Sequence, residues 1–262
     1  MTGFVDLYTE AGTFLHRMDP RVKILAVFLL SVLALILSTL HSLLVLLAFI
    51  FLLLFMARAT LSRTMFALKF VLRFMLLIIV LWPIFDPAGT PVVASLGPIK
   101  ITEPAIWRGI TSAARVGCLA TVWYILLFTT SQRDLVRALV KLGVRFDIGL
   151  TLAISLRFLP TFGALIESIK DAQRARGLEL GRGGLVKRSR NYVAVLVPTI
   201  VSALKTADTL SLALQSRAYG ARADRTYLRE LKMRTSDSLA LASLVAAFVL
   251  TISASYVLQV NI

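Results

Sequence analysis

Two arginines, Arg176 and Arg217, lie in stretches that resemble one another, "DAQRARGLELG" at 171–181 and "LALQSRAYGAR" at 212–222. Small residues flank each: Ala175 and Gly177 around the first, Ser216 and Ala218 around the second. A guanidinium is a planar fork of donors that grips a carboxylate through two parallel bonds, which a lysine ammonium cannot do. Small neighbours clear space around the fork and let it enter a groove on another molecule. Gly177 and Gly220 follow the two arginines, and each is expected to end its helix in the left-handed conformation. Either arginine alone is an ordinary basic last turn favoured by the helix dipole. As a pair they predict two helix tips for a partner with two grooves.

Other chemistries are poorly served. "GRGGLVK" (181–187) lacks the glycine spacing and the Lys-Ser/Thr of a phosphate-binding loop. His16 and His41 stand apart from other metal-ligating residues, and the single cysteine, Cys118, rules out an internal disulfide or a thiolate cluster. No paired carboxylates and no Ser-His-Asp set fall on the apolar segments, so neither a cofactor nor catalysis is expected. Arg115 is a different matter. It lies well inside an apolar run, where a charge normally faces the bundle interior or a partner. A pairing within the bundle is the first expectation, and contact with a partner subunit the second.

The elements that must position these residues are greasy. Of 262 residues, 58% are hydrophobic, too many for an ordinary soluble fold. The excess is concentrated in runs at 22–40, 42–57, 70–85, 106–130 and 238–260. A helix needs about 20 such residues to cross the hydrocarbon layer, fewer if tilted. The expected fold is therefore all-α: a polytopic integral membrane protein with about five transmembrane helices, the first two joined as a hairpin through "STLHS". The leader "MTGFVDLYTEAGTFLHRMDPR" has no signal-peptide pattern, and the Pro/Gly-rich stretch 83–104 reads as an irregular outer loop.

The net charge of +15 reflects topology rather than nucleic-acid binding. Residues 131–236 hold 19 of the 29 Lys and Arg against 8 acids, whereas 86–104 has only Lys100. The positive-inside rule then places the N-terminus and 131–236 in the cytoplasm, against anionic lipid head groups. Within that region Ser131 is expected to cap a short helix carrying Leu135, Leu139 and Leu142. Two longer helices follow, each with a proline inside, Pro160 and Pro198, where a bend is expected. From proline to arginine is about 24 Å in one and 28 Å in the other at 1.5 Å per residue. Leu152, Leu159, Phe162, Ile166 and Ile169 line one helix; Leu196, Ile200, Ala203, Ala207, Leu210 and Leu214 line the other. Lys170, Asp171, Lys205 and Asp208 would each cost about 2.5–3.5 kcal/mol near the bilayer centre, so both helices are expected to lie amphipathically at the inner face. Three regions result: a membrane bundle at 1–130, a cytoplasmic-side region of amphipathic helices at 131–236 and a last spanning helix at 237–262.

The sequence resembles the transmembrane T component (EcfT/CbiQ-like) of energy-coupling factor (ECF) ABC-type transporters. The likeness rests on "LHRMDPRVKIL" (15–25), "LFTTSQRDLVRALVKL" (127–142), "AQRARG" (172–177), "ALQSRAYG" (213–220) and "RTYLRELKMRTSD" (225–237). Ala175-Arg176-Gly177 follows the family's Ala-Arg-Gly; Ser216-Arg217-Ala218 keeps the arginine but not its neighbours. The resemblance implies a non-catalytic scaffold in a prokaryotic cell membrane. It implies that both motifs contact two cytoplasmic ABC ATPase subunits, and that the apolar helix faces hold a separate substrate-binding membrane S component. It also implies uptake of a vitamin or a transition-metal ion. Two rivals remain open: the permease subunit of a conventional ABC transporter, with a substrate cavity in this chain, and a membrane-embedded enzyme acting on lipids.

Overall fold

The computed structural model describes residues 13–57, 61–86, 90–96, 99–179, 181, 184–221 and 233–260. The first part of the leader and most of the 225–237 run lie outside them. The chain divides into two compact units, one from Gly3–Val144 with Leu231–Ile262 and one from Arg145–Glu230.

The first unit opens with α1 (Phe14–Arg17) and α2 (Pro20–Ile36). Asp19 caps α2 by accepting from the Arg21 amide at 2.9 Å, and Pro20, with no amide hydrogen to satisfy, suits the first helical position. Helices α3 (Leu40–Met56) and α4 (Leu61–Phe85) lead to strands β1 (Val92–Leu96) and β2 (Ile99–Thr102), then to α5 (Glu103–Thr129), α6 (Gln132–Lys141) and α9 (Thr235–Val260). Where the sequence reads as irregular loop, β1 and β2 pair antiparallel. The alternation of Val92, Ala94 and Leu96 suits a strand period despite the surrounding prolines.

Helix α5 is the centre of the unit and packs on α2, α3 and α4. Its small residues permit that: Gly109, Ala113, Ala114, Gly117 and Cys118 are all buried. An added methyl at Gly109 would lie 3.2 Å from Trp82 Cβ, and one at Gly117 would lie 2.9 Å from Met75 Sδ. Those two contacts fix an antiparallel register between α4 and α5. Leu43, Ile50, Val122 and Leu126 belong to the core between α3 and α5. Ser131 caps α6 by accepting from the Asp134 amide, and Val136 and Ala138 are the buried residues of that helix.

Outward faces are as apolar as the interior. Phe28, Phe55, Phe70, Leu76, Val80 and Phe85 are exposed, which a lipid environment satisfies and water does not. Among the described residues four helices are long and apolar enough to cross a membrane, Leu68–Phe85, Glu103–Thr129, Phe146–Ala175 and Arg188–Ser216, with Leu40–Met56 and Thr235–Thr251 as shorter apolar helices. The protein is an all-α, polytopic membrane protein.

The second unit is built on α7 (Phe146–Ala175) and α8 (Leu185–Ser216), with Pro160 and Pro198 inside them. Two side-chain bonds set their direction. Gln173 Nε2 donates to the Ala194 carbonyl at 3.2 Å, and the Tyr219 hydroxyl donates to Asp147 Oδ1 at 2.8 Å. The start of α7 thus meets the end of α8 and vice versa, so the pair is antiparallel.

Candidate functional site

Both long helices end in one six-residue motif. In α7 the Leu178 amide bonds to the Gln173 carbonyl at 3.0 Å and the Gly177 amide to the Arg174 carbonyl at 2.9 Å. In α8 the Tyr219 amide bonds to the Leu214 carbonyl at 3.0 Å and the Ala218 amide to the Gln215 carbonyl at 2.9 Å. These are the paired long and short bonds of a Schellman cap. Arg176 and Arg217 are the C-cap residues, with φ of −83° and −90°. The two arginines therefore occupy the same position in the same backbone.

The glycine expectation is half corrected. Gly177 takes the left-handed position of the first cap at φ +84°, but in the second that position belongs to Ala218 at φ +57°. Gly220 is also left-handed, at φ +90°, two residues beyond the cap. Beside this cap the Tyr219 hydroxyl, on the residue after Ala218, donates to Asp147 Oδ1 across the helix pair. Tyr219 and Asp147 are thus part of the site, and their separation of 72 positions left no local pattern to find them by.

Ala175, Arg176, Gly177, Ser216, Arg217 and Ala218 are all exposed. Among the described residues neither guanidinium makes a side-chain bond or ion pair. Their neighbours do: Arg174 pairs with Asp171 at 3.1 Å and Lys170 with Glu167 at 2.9 Å. The structure does not bring the two tips together. Arg217 lies beside the start of α7 and Arg176 at its end, so the 30 residues of α7 hold them apart by roughly 40 Å at 1.5 Å per residue.

Arg115 is half-buried and inward. Its Nε donates to the Ala34 carbonyl at 3.2 Å and its Nη2 to the Leu37 carbonyl at 2.9 Å. It caps the C-terminal end of α2, where unsatisfied carbonyls and the dipole attract a cation. Lys23 is buried too: its Nζ donates to the carbonyls of His16 at 3.2 Å and Thr129 at 2.9 Å.

The described residues thus comprise an all-α membrane bundle and an antiparallel helix pair with exposed cationic tips. The profile of the cobalt transport protein family, CbiQ, matches residues 11–228. The chain is 33% identical over 242 residues to the energy-coupling factor transporter transmembrane protein EcfT of Streptococcus equi subsp. equi, covering 89% of this chain and 90% of that one. It is 32% identical to the EcfT of Brevibacillus brevis (88% and 90% covered) and 29% identical to that of Lactococcus lactis subsp. cremoris (94% and 95% covered). The chain belongs to this family, the EcfT/CbiQ-like T components of ECF transporters.

Proposed function

We propose that this chain is the energy-coupling scaffold of an ECF importer, carrying ATP-driven motion of two cytoplasmic ABC ATPase subunits to a separate substrate-binding membrane S component. The observation that carries this is the duplicated cap: two identical backbones present Arg176 and Arg217, unpartnered among the described residues, at opposite ends of one antiparallel pair. A dimeric motor offers two equivalent grooves, and one helix pair with a fork at each end engages both. Motion of the grooves relative to each other then tilts or spreads α7 and α8. Exposed apolar residues along them, among them Leu159, Leu196, Ile200 and Leu204, are the surface for a lipid-embedded partner. The family description names cobalt, and the cargo class is a vitamin or a transition-metal ion.

In this scheme residues 131–236 lie on the cytoplasmic side with the N-terminus. Helices α7 and α8 pass a length-and-composition criterion for spanning, but their charges oppose it. Between Arg190 and Lys205 there are only 14 residues, about 21 Å of helix, short of the ~30 Å hydrocarbon layer. Lys205 and Asp208 face outward and would sit near mid-membrane at about 2.5–3.5 kcal/mol each. An interfacial position avoids that cost.

The test is co-purification of the tagged membrane subunit with its ATPases. Truncating one partner of a desolvated charge pair costs 2–5 kcal/mol, so Arg176→Glu or Arg217→Glu should weaken association at least tenfold while membrane insertion is unchanged. An undiminished complex from the double variant refutes the proposal.

A further inference from the structure

The α2–α3 hairpin is shorter than the helix it packs on. Helix α5 has 27 residues and α2 and α3 have 17 each, so at 1.5 Å per residue the hairpin is about 15 Å shorter. Their feet are level, because Lys23 Nζ reaches the Thr129 carbonyl at the end of α5. The deficit must therefore fall at the other end. Trp82 and Trp107 mark the membrane boundary there: both are exposed, and Trp82 packs against Gly109, two residues from Trp107. Indole rings favour such interfaces.

Two contacts measure the depth of the hairpin turn below that boundary. Cys118 Sγ meets the Leu43 carbonyl at 3.6 Å, and Thr39 lies one helical turn above Leu43. Cys118 is 11 residues from Trp107, which puts Thr39 about 10 Å below the tryptophan level. Independently, Arg115 bonds to the Leu37 carbonyl and is 8 residues from Trp107, which gives about 12 Å. The turn is polar. Ser38, Thr39 and His41 are exposed. Thr39, at the N-cap of α3, makes no side-chain bond to the first-turn amides; its hydroxyl instead pairs with Ser42 Oγ at 2.7 Å. First-turn amides have no partner within a helix, and each left bare in hydrocarbon costs several kcal/mol.

We propose that the turn 37–42 is the floor of a water-filled recess about 10 Å deep in the membrane half opposite the N-terminus. Water there solvates the open amides of α3 and the exposed Ser38, Thr39 and His41. Arg115 fixes the depth by tying the top of α2 to the middle of α5. Alongside the hairpin the apolar barrier is about 24 Å, against about 33 Å between the levels of Thr129 and Trp107 on α5.

The test uses Ser38→Cys, Thr39→Cys and His41→Cys in a Cys118→Ala background, reacted with a membrane-impermeant cationic methanethiosulfonate in sealed vesicles of both orientations. Leu76→Cys is the reference, because the α4–α5 register sets it level with residues 115–116 and it is 55% exposed on the outer face of α4. The turn cysteines should react at least tenfold faster than Leu76→Cys, and only from the face opposite the N-terminus. Equal rates overturn the proposal: both slow puts the turn in hydrocarbon, and both fast puts the whole boundary below it. Amide exchange at Leu40, His41 and Ser42 in the unmodified chain is the second measurement. Fast exchange is expected, and protection comparable to mid-helix amides of α3 counts against a wet recess.

Discussion

Exchanging the cap residues of the two tips should move their stability in opposite directions. No atom lies within 4 Å of a methyl built at Gly177, so Gly177→Ala adds no clash and its cost is purely conformational. At φ +84° an L-residue pays about 1–2 kcal/mol for the left-handed region, and the stiffer unfolded chain returns about 0.4–1 kcal/mol. The net loss is about 1 kcal/mol. Ala218 at φ +57° already carries that strain, so Ala218→Gly should gain a similar amount. The assay is hydrogen exchange at the Leu178 and Tyr219 amides, whose bonds to the Gln173 and Leu214 carbonyls exist only while the caps are formed. Since 1.4 kcal/mol is tenfold, Leu178 should exchange about fivefold faster in Gly177→Ala. Tyr219 should exchange about fivefold slower in Ala218→Gly. Unchanged or faster exchange in Ala218→Gly would mean that position 218 is not left-handed and that the two tips do not share a backbone.

The remaining predictions concern the bundle. Gly109→Ala should destabilise more than Gly117→Ala, because the methyl at 109 meets Trp82 Cβ and the Ile79 carbonyl, whereas at 117 it meets the flexible end of Met75. Overpacking costs 1–3 kcal/mol where neighbours cannot yield, and thermal unfolding followed by tryptophan fluorescence ranks the two. Lys23→Met should cost about 1–3 kcal/mol, because it removes the ammonium that donates to the His16 and Thr129 carbonyls and leaves the buried Thr129 carbonyl without that partner. Denaturation midpoints in detergent check it, and an unaltered midpoint would count against Lys23 as a structural tie.

The runs of apolar residues announce the bundle because lipid-facing and core-facing positions are both greasy, so a run is visible without knowing its neighbours. Ser131 was legible for the same local reason: a cap and its Asp134 are three residues apart. What the sequence hides is long-range. The second cap turns at Ala218 rather than at Gly220, and its Tyr219 bonds to Asp147 across the helix pair, a contact that no local propensity encodes. The β1–β2 pairing lies among prolines that argue for irregular chain. The depth of the α2–α3 turn was equally invisible, since hydropathy counts residues in a run and cannot tell which turn of α5 lies opposite it.

Among the cations at helix C-termini, two pairs are used in different ways. Helices α2 and α5 are antiparallel, and each lends a cation to the other's carbonyl end: Lys23 to Thr129 of α5, Arg115 to Ala34 and Leu37 of α2. The exchange suits two opposed dipoles, each with a cation at its carbonyl end. Helices α7 and α8 are antiparallel as well, yet their terminal arginines make no such exchange. Gln173 and Tyr219, neither of them cationic, tie the ends instead, and Arg176 and Arg217 remain at their own C-caps, exposed. With the ends held by amide and hydroxyl, both guanidinia stay exposed, as the proposed contact with carboxylates of the ATPases requires.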